Sequence, residues 1–210
     1  MTGAETEAKR RLRAEARGLR ARLAAAHPEA GVELVRFAPG LLAALAARGL
    51  PARIAGFAAV RDEIAPGHLL AALARAGADI ALPVAGADGT LVFRRHDPGT
   101  ALAPGRFGIP EPPATDPLVR PVLVLVPLLA FAPDGTRLGY GGGYYDRALA
   151  GLRAEGPALA LGCAYAGQAR GALPREAHDV PLDGVLTERG YVPLGADGAA
   201  LSAYLPPGGA

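Results

Sequence analysis

Apolar positions at Leu12, Ala16, Leu19 and Leu23 recur at the three-to-four spacing of an amphipathic helix and predict one over residues 4–23. The other face carries Lys9, Arg10, Arg13, Arg17 and Arg20, a pattern that most often means a solvated surface. A second helix is expected over residues 29–47, stopped by Gly49 and Pro51. Residues 53–60 read as a buried strand that leaves Arg61-Asp62-Glu63-Ile64 at its carboxyl end. Helix over 69–76 and strands over 80–84 and 90–94 follow, the strands joined by an Ala87-Asp88-Gly89 turn. Pro121 to Val126 is the uninterrupted apolar run of a central parallel strand, and it delivers a glycine-rich loop and a helix from Tyr144 to about Ala154. Residues 157–163 form another buried strand, and Thr187 ends the last one. This alternation predicts an α/β class: a three-layer α/β/α single domain with a mostly parallel central sheet. It is expected over residues 1–195, with 196–210, rich in Gly, Pro and Ala, a flexible tail.

Composition narrows the function classes. A chain of 210 residues, 50% hydrophobic, suits one domain with a substantial core. A net charge of +2 is too mild to argue for nucleic acid or a membrane, though it suits anionic small molecules. No apolar run is expected to reach transmembrane length, and the start lacks the basic-then-apolar order of a secretion signal. Cys163 is the lone cysteine, which excludes an internal disulfide and a cysteine metal cluster. It reads as core rather than nucleophile. A reducing, cytoplasmic location is expected.

The chemistry centres on Arg137-Leu138-Gly139-Tyr140-Gly141-Gly142-Gly143-Tyr144-Tyr145-Asp146-Arg147. Strand, glycine-rich turn and helix start together aim backbone N–H groups and a positive helix end at an anion. Gly139, Gly141, Gly142 and Gly143 permit close backbone approach, Arg137 can fork onto phosphate oxygens, and Asp146 falls where a carboxylate could hold magnesium. Neither common phosphate-loop fingerprint is present. A plain loop with Asp146 as helix cap is the competing reading. In the same way Asp62 and Glu63 could serve chemistry at a strand end or merely cap the next helix, and His178-Asp179 could be a dyad, a metal pair or a turn.

These residues resemble a known family. Pro127-Leu128-Leu129-Ala130-Phe131 followed by Asp134 through Arg147 is similar to the signature of the 5-formyltetrahydrofolate cyclo-ligases, also called 5,10-methenyltetrahydrofolate synthetases. Lys9-Arg10-Arg11-Leu12-Arg13 matches the family's K-x-x-L-R, Phe107 to Pro112 its F-G-I-x-E-P, and Gln168, Leu173-Pro174, His178-Asp179 and Asp183 to Glu188 its ending. The resemblance runs in order from Lys9 to Glu188. It departs at Ala65-Pro66-Gly67, Leu128 and Ala132.

The resemblance implies ATP-dependent and Mg²⁺-dependent conversion of 5-formyltetrahydrofolate to 5,10-methenyltetrahydrofolate, with release of ADP and phosphate. It implies ATP contacts from Lys9, Arg10, Arg13, Arg137, Leu138, Gly139, Tyr140, Gly141, Gly142, Gly143, Tyr144 and Tyr145. Folate contacts fall on Ala58, Glu63, Tyr140, Gly141, Gly142, Gly143 and Tyr144, magnesium on Asp146 and Asp179, and phosphate charge stabilisation on Arg137. No covalent nucleophile is expected. The implied partners are small molecules, without nucleic acid or membrane, for a monomer or weak homodimer. A binder that has lost catalysis and a sugar-phosphate isomerase or transferase are the competing classes, since phosphate recognition is common to all three.

Overall fold

A computed structural model describes the backbone of residues 3–208, with side chains from residue 7; the ends of the expected domain and tail, residues 1–2 and 209–210, lie outside it. Helices are α1 (Gly3–Ala26), α2 (Ala30–Glu33), α3 (Ala38–Ala47), α4 (Gly67–Arg75), α5 (Tyr144–Glu155) and α6 (Gly195–Leu201). Strands are β1 (Arg53–Ala55), β2 (Asp79–Ala85), β3 (Leu91–Arg95), β4 (Ala103–Pro104), β5 (Pro110–Glu111), β6 (Leu123–Pro127), β7 (Ala130–Phe131), β8 (Arg137–Leu138), β9 (Leu159–Cys163), β10 (Gly184–Thr187) and β11 (Gly190–Pro193).

Seven strands form one sheet in the order β11-β10-β9-β6-β1-β2-β3. The five inner strands are parallel, while β3 and β11 turn back antiparallel on the two edges. Thr187 therefore does not end the last strand: its hydroxyl donates to Gly190 O at 2.7 Å and closes the β10–β11 hairpin.

One face of the sheet is covered by α2 to α4 and by Leu201 and Leu205 near the C-terminus, packed on Ile54, Leu123, Leu125 and Leu161. The other is covered by α5 through Leu149 and Leu152 against Val124, Val126 and Ala160. α1 joins the first layer only at its end, through Leu23 and Ala24. Its Ala16 packs on Leu129, Ala130 and Leu138 beyond β6, and Leu23 lies against Gly167 beyond β9. Arg20 meets Asp62 beyond β1. The helix thus crosses the carboxyl ends of the parallel strands, where ligands bind in open α/β sheets.

Four expectations need correction. The single helix over 29–47 is broken by a 3₁₀ turn over Leu34–Phe37, because Pro39 has no N–H to donate back to Val35. The strand over 53–60 stops at Ala55: Leu70 presses on Gly56, where an added Cβ would meet its Cδ1 at 2.3 Å, and the chain leaves the sheet. The tail from 196 is ordered through 208, since Leu201 and Leu205 are buried and Tyr191 donates to Pro206 O at 2.9 Å. Finally, Ala30–Ala47 does reach membrane-spanning length with mean hydropathy 1.5; its Leu34, Phe37, Leu41 and Leu45 are buried in this core.

Candidate functional site

The loop after β6 begins with a small hairpin, β7 and β8, whose turn is closed by Asp134 accepting the Thr136 N–H at 3.0 Å. The family departures Leu128 and Ala132 are both buried here, and Leu128 fills the space that Gly162 leaves on β9. Gln168 donates to Leu128 O and Leu129 O at 3.1 and 3.0 Å, which ties the loop to the segment that follows β9. These are packing roles, and they bring Arg137 to the start of the glycine-rich stretch.

Arg137 is 6% exposed. One guanidinium nitrogen donates to Asp146 Oδ1 at 2.6 Å and another to Val180 O, and the Val180 N–H donates to the same Asp146 oxygen at 3.1 Å. Burial draws the guanidinium below its ordinary value against the opposing pull of Asp146 and Asp179. Asp146 is therefore not a helix cap. Gly143, at φ +65°, occupies the cap position of α5 with no side-chain cap bond, so no side chain there takes up the first-turn amides. Among the glycines of the stretch only Gly141, at φ +99°, and Gly143 use the left-handed region; Gly139 and Gly142 do not.

The basic face of α1 divides. Arg13 donates to Gly139 O at 3.1 Å and lies against Gly141, while Lys9 pairs with Glu176. Arg10 is not brought to the loop: its side chain is 74% exposed and pairs with Glu7 one turn earlier. Arg20, expected on the solvated face, is buried. It donates to Asp62 Oδ2 at 2.9 Å and to Glu63 Oε1 at 3.4 Å.

Glu63 is the meeting point of the two halves. The Tyr140 hydroxyl donates to its Oε1 at 2.6 Å and the Val60 N–H to its Oε2 at 2.9 Å. Burial first, then Glu63, pushes the Tyr140 phenol up to about 12, so it stays a donor. Arg17 and Arg20 stand over the Tyr140 ring at 5.8 and 5.6 Å. Neither acid caps α4, whose cap position is Pro66 without a side-chain bond. Ala58 is half-buried in the irregular segment leading to this turn.

Tyr144 stands beside Phe107 and Arg147. Phe107, 67% exposed, meets it edge-on at 6.0 Å, and Arg147 stands over its ring at 5.3 Å while donating to Gly89 O and Gly142 O. Tyr145 packs with the α5 layer against the core, and burial pushes its phenol up. Leu138 is buried under α1. Asp179 accepts the Glu176 N–H at 2.7 Å, and the candidate ligand atoms of Glu176, His178 and Asp179 lie within 4.8 Å of one another. Cys163 is 3% exposed and burial pushes its thiol up, which removes it as a nucleophile.

The structure thus collects Lys9, Arg13, Arg137, Asp146, Asp179, Tyr140, Tyr144 and Glu63 around one end of the sheet. Residues not singled out from the sequence are Arg20, Arg147, Glu176 and Val180. For Arg20 a signal existed: positions 9, 13, 16 and 20 fall on one helical stripe, with buried Ala16 among them.

Comparison with known proteins places the chain among relatives of one name. A 36% identical relative from Mycolicibacterium smegmatis, named 5-formyltetrahydrofolate cyclo-ligase, matches over 136 residues, 60% of this chain and 69% of its own length. One of the same name from Escherichia coli is 35% identical over 64% of this chain and 76% of its own. A third, from Haemophilus influenzae, is 39% identical over 100 residues, about half the length of each protein at 46% and 53%. The solved structure of Aquifex aeolicus 5,10-methenyltetrahydrofolate synthetase superposes with TM-score 0.65 at 28% identity, over 90% of this chain and 93% of that one. The synthetase from Mycoplasma pneumoniae, at 22% identity and TM-score 0.65, shares the fold. The model of the 5-formyltetrahydrofolate cyclo-ligase family matches residues 5–188, a span that runs from the basic face of α1 to the end of β10 and takes in every residue gathered here, so the chain belongs to that family.

Proposed function

We propose that this chain converts 5-formyltetrahydrofolate to 5,10-methenyltetrahydrofolate, with ATP consumed and ADP and phosphate released. Family membership supports the folate substrate. The observation that carries the ATP half is the buried Arg137, paired with Asp146 at 2.6 Å beside a glycine loop whose Gly141 and Gly143 open backbone amides toward an anion.

The formyl oxygen is amide-like and a poor leaving group. Transfer of the γ-phosphoryl group to it yields a phosphate ester; N10 then attacks the formyl carbon, phosphate departs with that oxygen, and the N10 proton is lost as the ring closes. Such a transfer asks the protein mainly to hold two substrates in line and to neutralise charge. Lys9, Arg13, Arg137 and the loop amides serve the phosphates. Glu63, with both oxygens already accepting N–H or O–H donors, is suited to accept from the nitrogen-rich ring of the folate, and Tyr144 lies edge-on to Phe107 where a flat ring can stack.

The carboxylate set suits a hard cation. Asp179 lies with Glu176 and His178 in a group whose candidate ligand atoms fall within 4.8 Å of one another, Asp146 is outside that group with its Oδ1 accepting from Arg137, and oxygen ligands are what Mg²⁺ takes. Bound there, Mg²⁺ would supply charge neutralisation for the phosphates. The lone buried Cys163 supports a cytoplasmic setting.

The test is to mix the protein with 5-formyltetrahydrofolate and MgATP and follow methenyltetrahydrofolate absorbance together with ADP. Product in step with ADP, and none without ATP, is expected; turnover without ATP, or binding of both ligands without product, overturns the proposal.

A further inference from the structure

We infer that Arg20 is a positioning residue for folate: it fixes the Glu63 carboxylate and the Tyr140 hydroxyl in the geometry that receives the substrate. The inference rests on the proposed folate role of Glu63. Arg20 is the largest fully buried side chain, at 2% exposure, although it sits on a helix whose neighbouring arginines are solvated. A guanidinium is expensive to bury unless its donors are used.

Its donors go to two consecutive acids. Asp62 takes the shorter bond, 2.9 Å, and Glu63 the longer, 3.4 Å, while the guanidinium lies 5.6 Å from the Tyr140 ring centre. The turn that presents those acids is strained, because Arg61 stands at φ +59° without being glycine. Strain of that kind persists only where surrounding contacts over-determine it, and the Arg20–Asp62 bond clamps the residue next to it. Arg20 touches three segments, α1, the turn after β1 and the glycine-rich loop, and two of its partners are the candidate folate contacts. Lysine at this position keeps the charge but not the fork that spans both acids.

The experiment measures KM for each substrate, kcat and Tm in Arg20→Met, Arg20→Lys and Asp62→Asn beside the unsubstituted protein. KM for 5-formyltetrahydrofolate is expected to rise roughly tenfold or more in Arg20→Met, the scale of a displaced positioning group. KM for MgATP should change far less, and Arg20→Lys should recover part of the loss. Asp62→Asn keeps the test decisive should Arg20→Met fail to fold, since it removes the charge from Arg20's nearer partner, weakens the clamp and should raise the same KM. An unchanged folate KM in a folded variant, or equal loss for both substrates, overturns the role of Arg20 alone. Absence of product from the unsubstituted protein overturns the proposed reaction and this inference with it.

Discussion

Asp146→Ala removes one partner of a buried ion pair and leaves the other in place. At 2.6 Å the Coulomb attraction to Arg137 is roughly 6 kcal/mol at an effective dielectric of about 20. Desolvation of both groups offsets much of this in the intact protein. What the substitution exposes is the asymmetry: Arg137, 6% exposed, keeps its charge and its burial but loses its carboxylate, and the Val180 N–H loses its acceptor. Orphaning a buried charge costs about 3–5 kcal/mol, and the 21% exposure of the Asp146 side chain places this case near the lower end. For a chain of this length that is a fall in Tm of roughly 6–12 °C. The circular dichroism spectrum at room temperature should stay intact, because about 3 kcal/mol is less than the stability of a typical domain. Asp146→Asn preserves the acceptor for Val180 and should cost less. Thermal melts read the stability, and the methenyltetrahydrofolate assay, in which both variants should lose turnover, reads the chemistry. Pairing Asp146→Ala with Arg137→Met completes a double-mutant cycle, with coupling of about 2 kcal/mol expected. Additive losses, or an Asp146→Ala melt that coincides with that of the unsubstituted protein, would refute the reasoning from burial.

Two further outcomes follow from the same geometry. Gly141→Ala places a Cβ 3.1 Å from the Arg13 guanidinium carbon at φ +99°, a strain of roughly 1–3 kcal/mol; KM for MgATP should rise, whereas Gly171→Ala, with open space around it and no positive φ, serves as the silent control in the same assay. Asp62 is the pH-dependent case: burial alone would raise its carboxyl, but the hydrogen bond and charge of Arg20 outweigh it and hold the group below 3.8. A depressed carboxyl contributes stability above its unfolded value and loses it as the pH falls through the folded one, so the advantage over Asp62→Asn in urea denaturation should be full at about pH 6 and shrink below about pH 4. An advantage that grew on acidification would reverse the assignment.

The departures from the family pattern have packing roles in the structure. Leu128 fills space against Gly162, and Ala132 sits in a hairpin whose turn carboxylate is Asp134. Ala65 backs onto Gly31, where an added Cβ would lie 2.7 Å from its carbonyl oxygen. Leu128 and Ala132 are themselves buried in the packing that leads to Arg137.

What the sequence determined by itself is whatever local periodicity and backbone permission encode. The apolar run predicted the central strand β6, the four glycines predicted a turn, of which only Gly141 and Gly143 use the left-handed region, and a helix from Tyr144 was expected behind it. Pro39 was equally visible as a helix breaker, and there the apolar pattern on either side masked the break. What only the tertiary structure decided is which charges lost their water. Arg17 and Arg20 are chemically identical, three residues apart and both over the Tyr140 ring, yet one is exposed and the other is buried against Asp62 and Glu63, because α1 crosses the carboxyl ends of the strands at an angle that no helical wheel contains. The tail shows the same limit: its composition argues for fraying, but Leu201 and Leu205 find a core, and the edge of β11 takes up the backbone that follows. Burial is a property of distant pairs, and a one-dimensional pattern records only the residues that are able to join them.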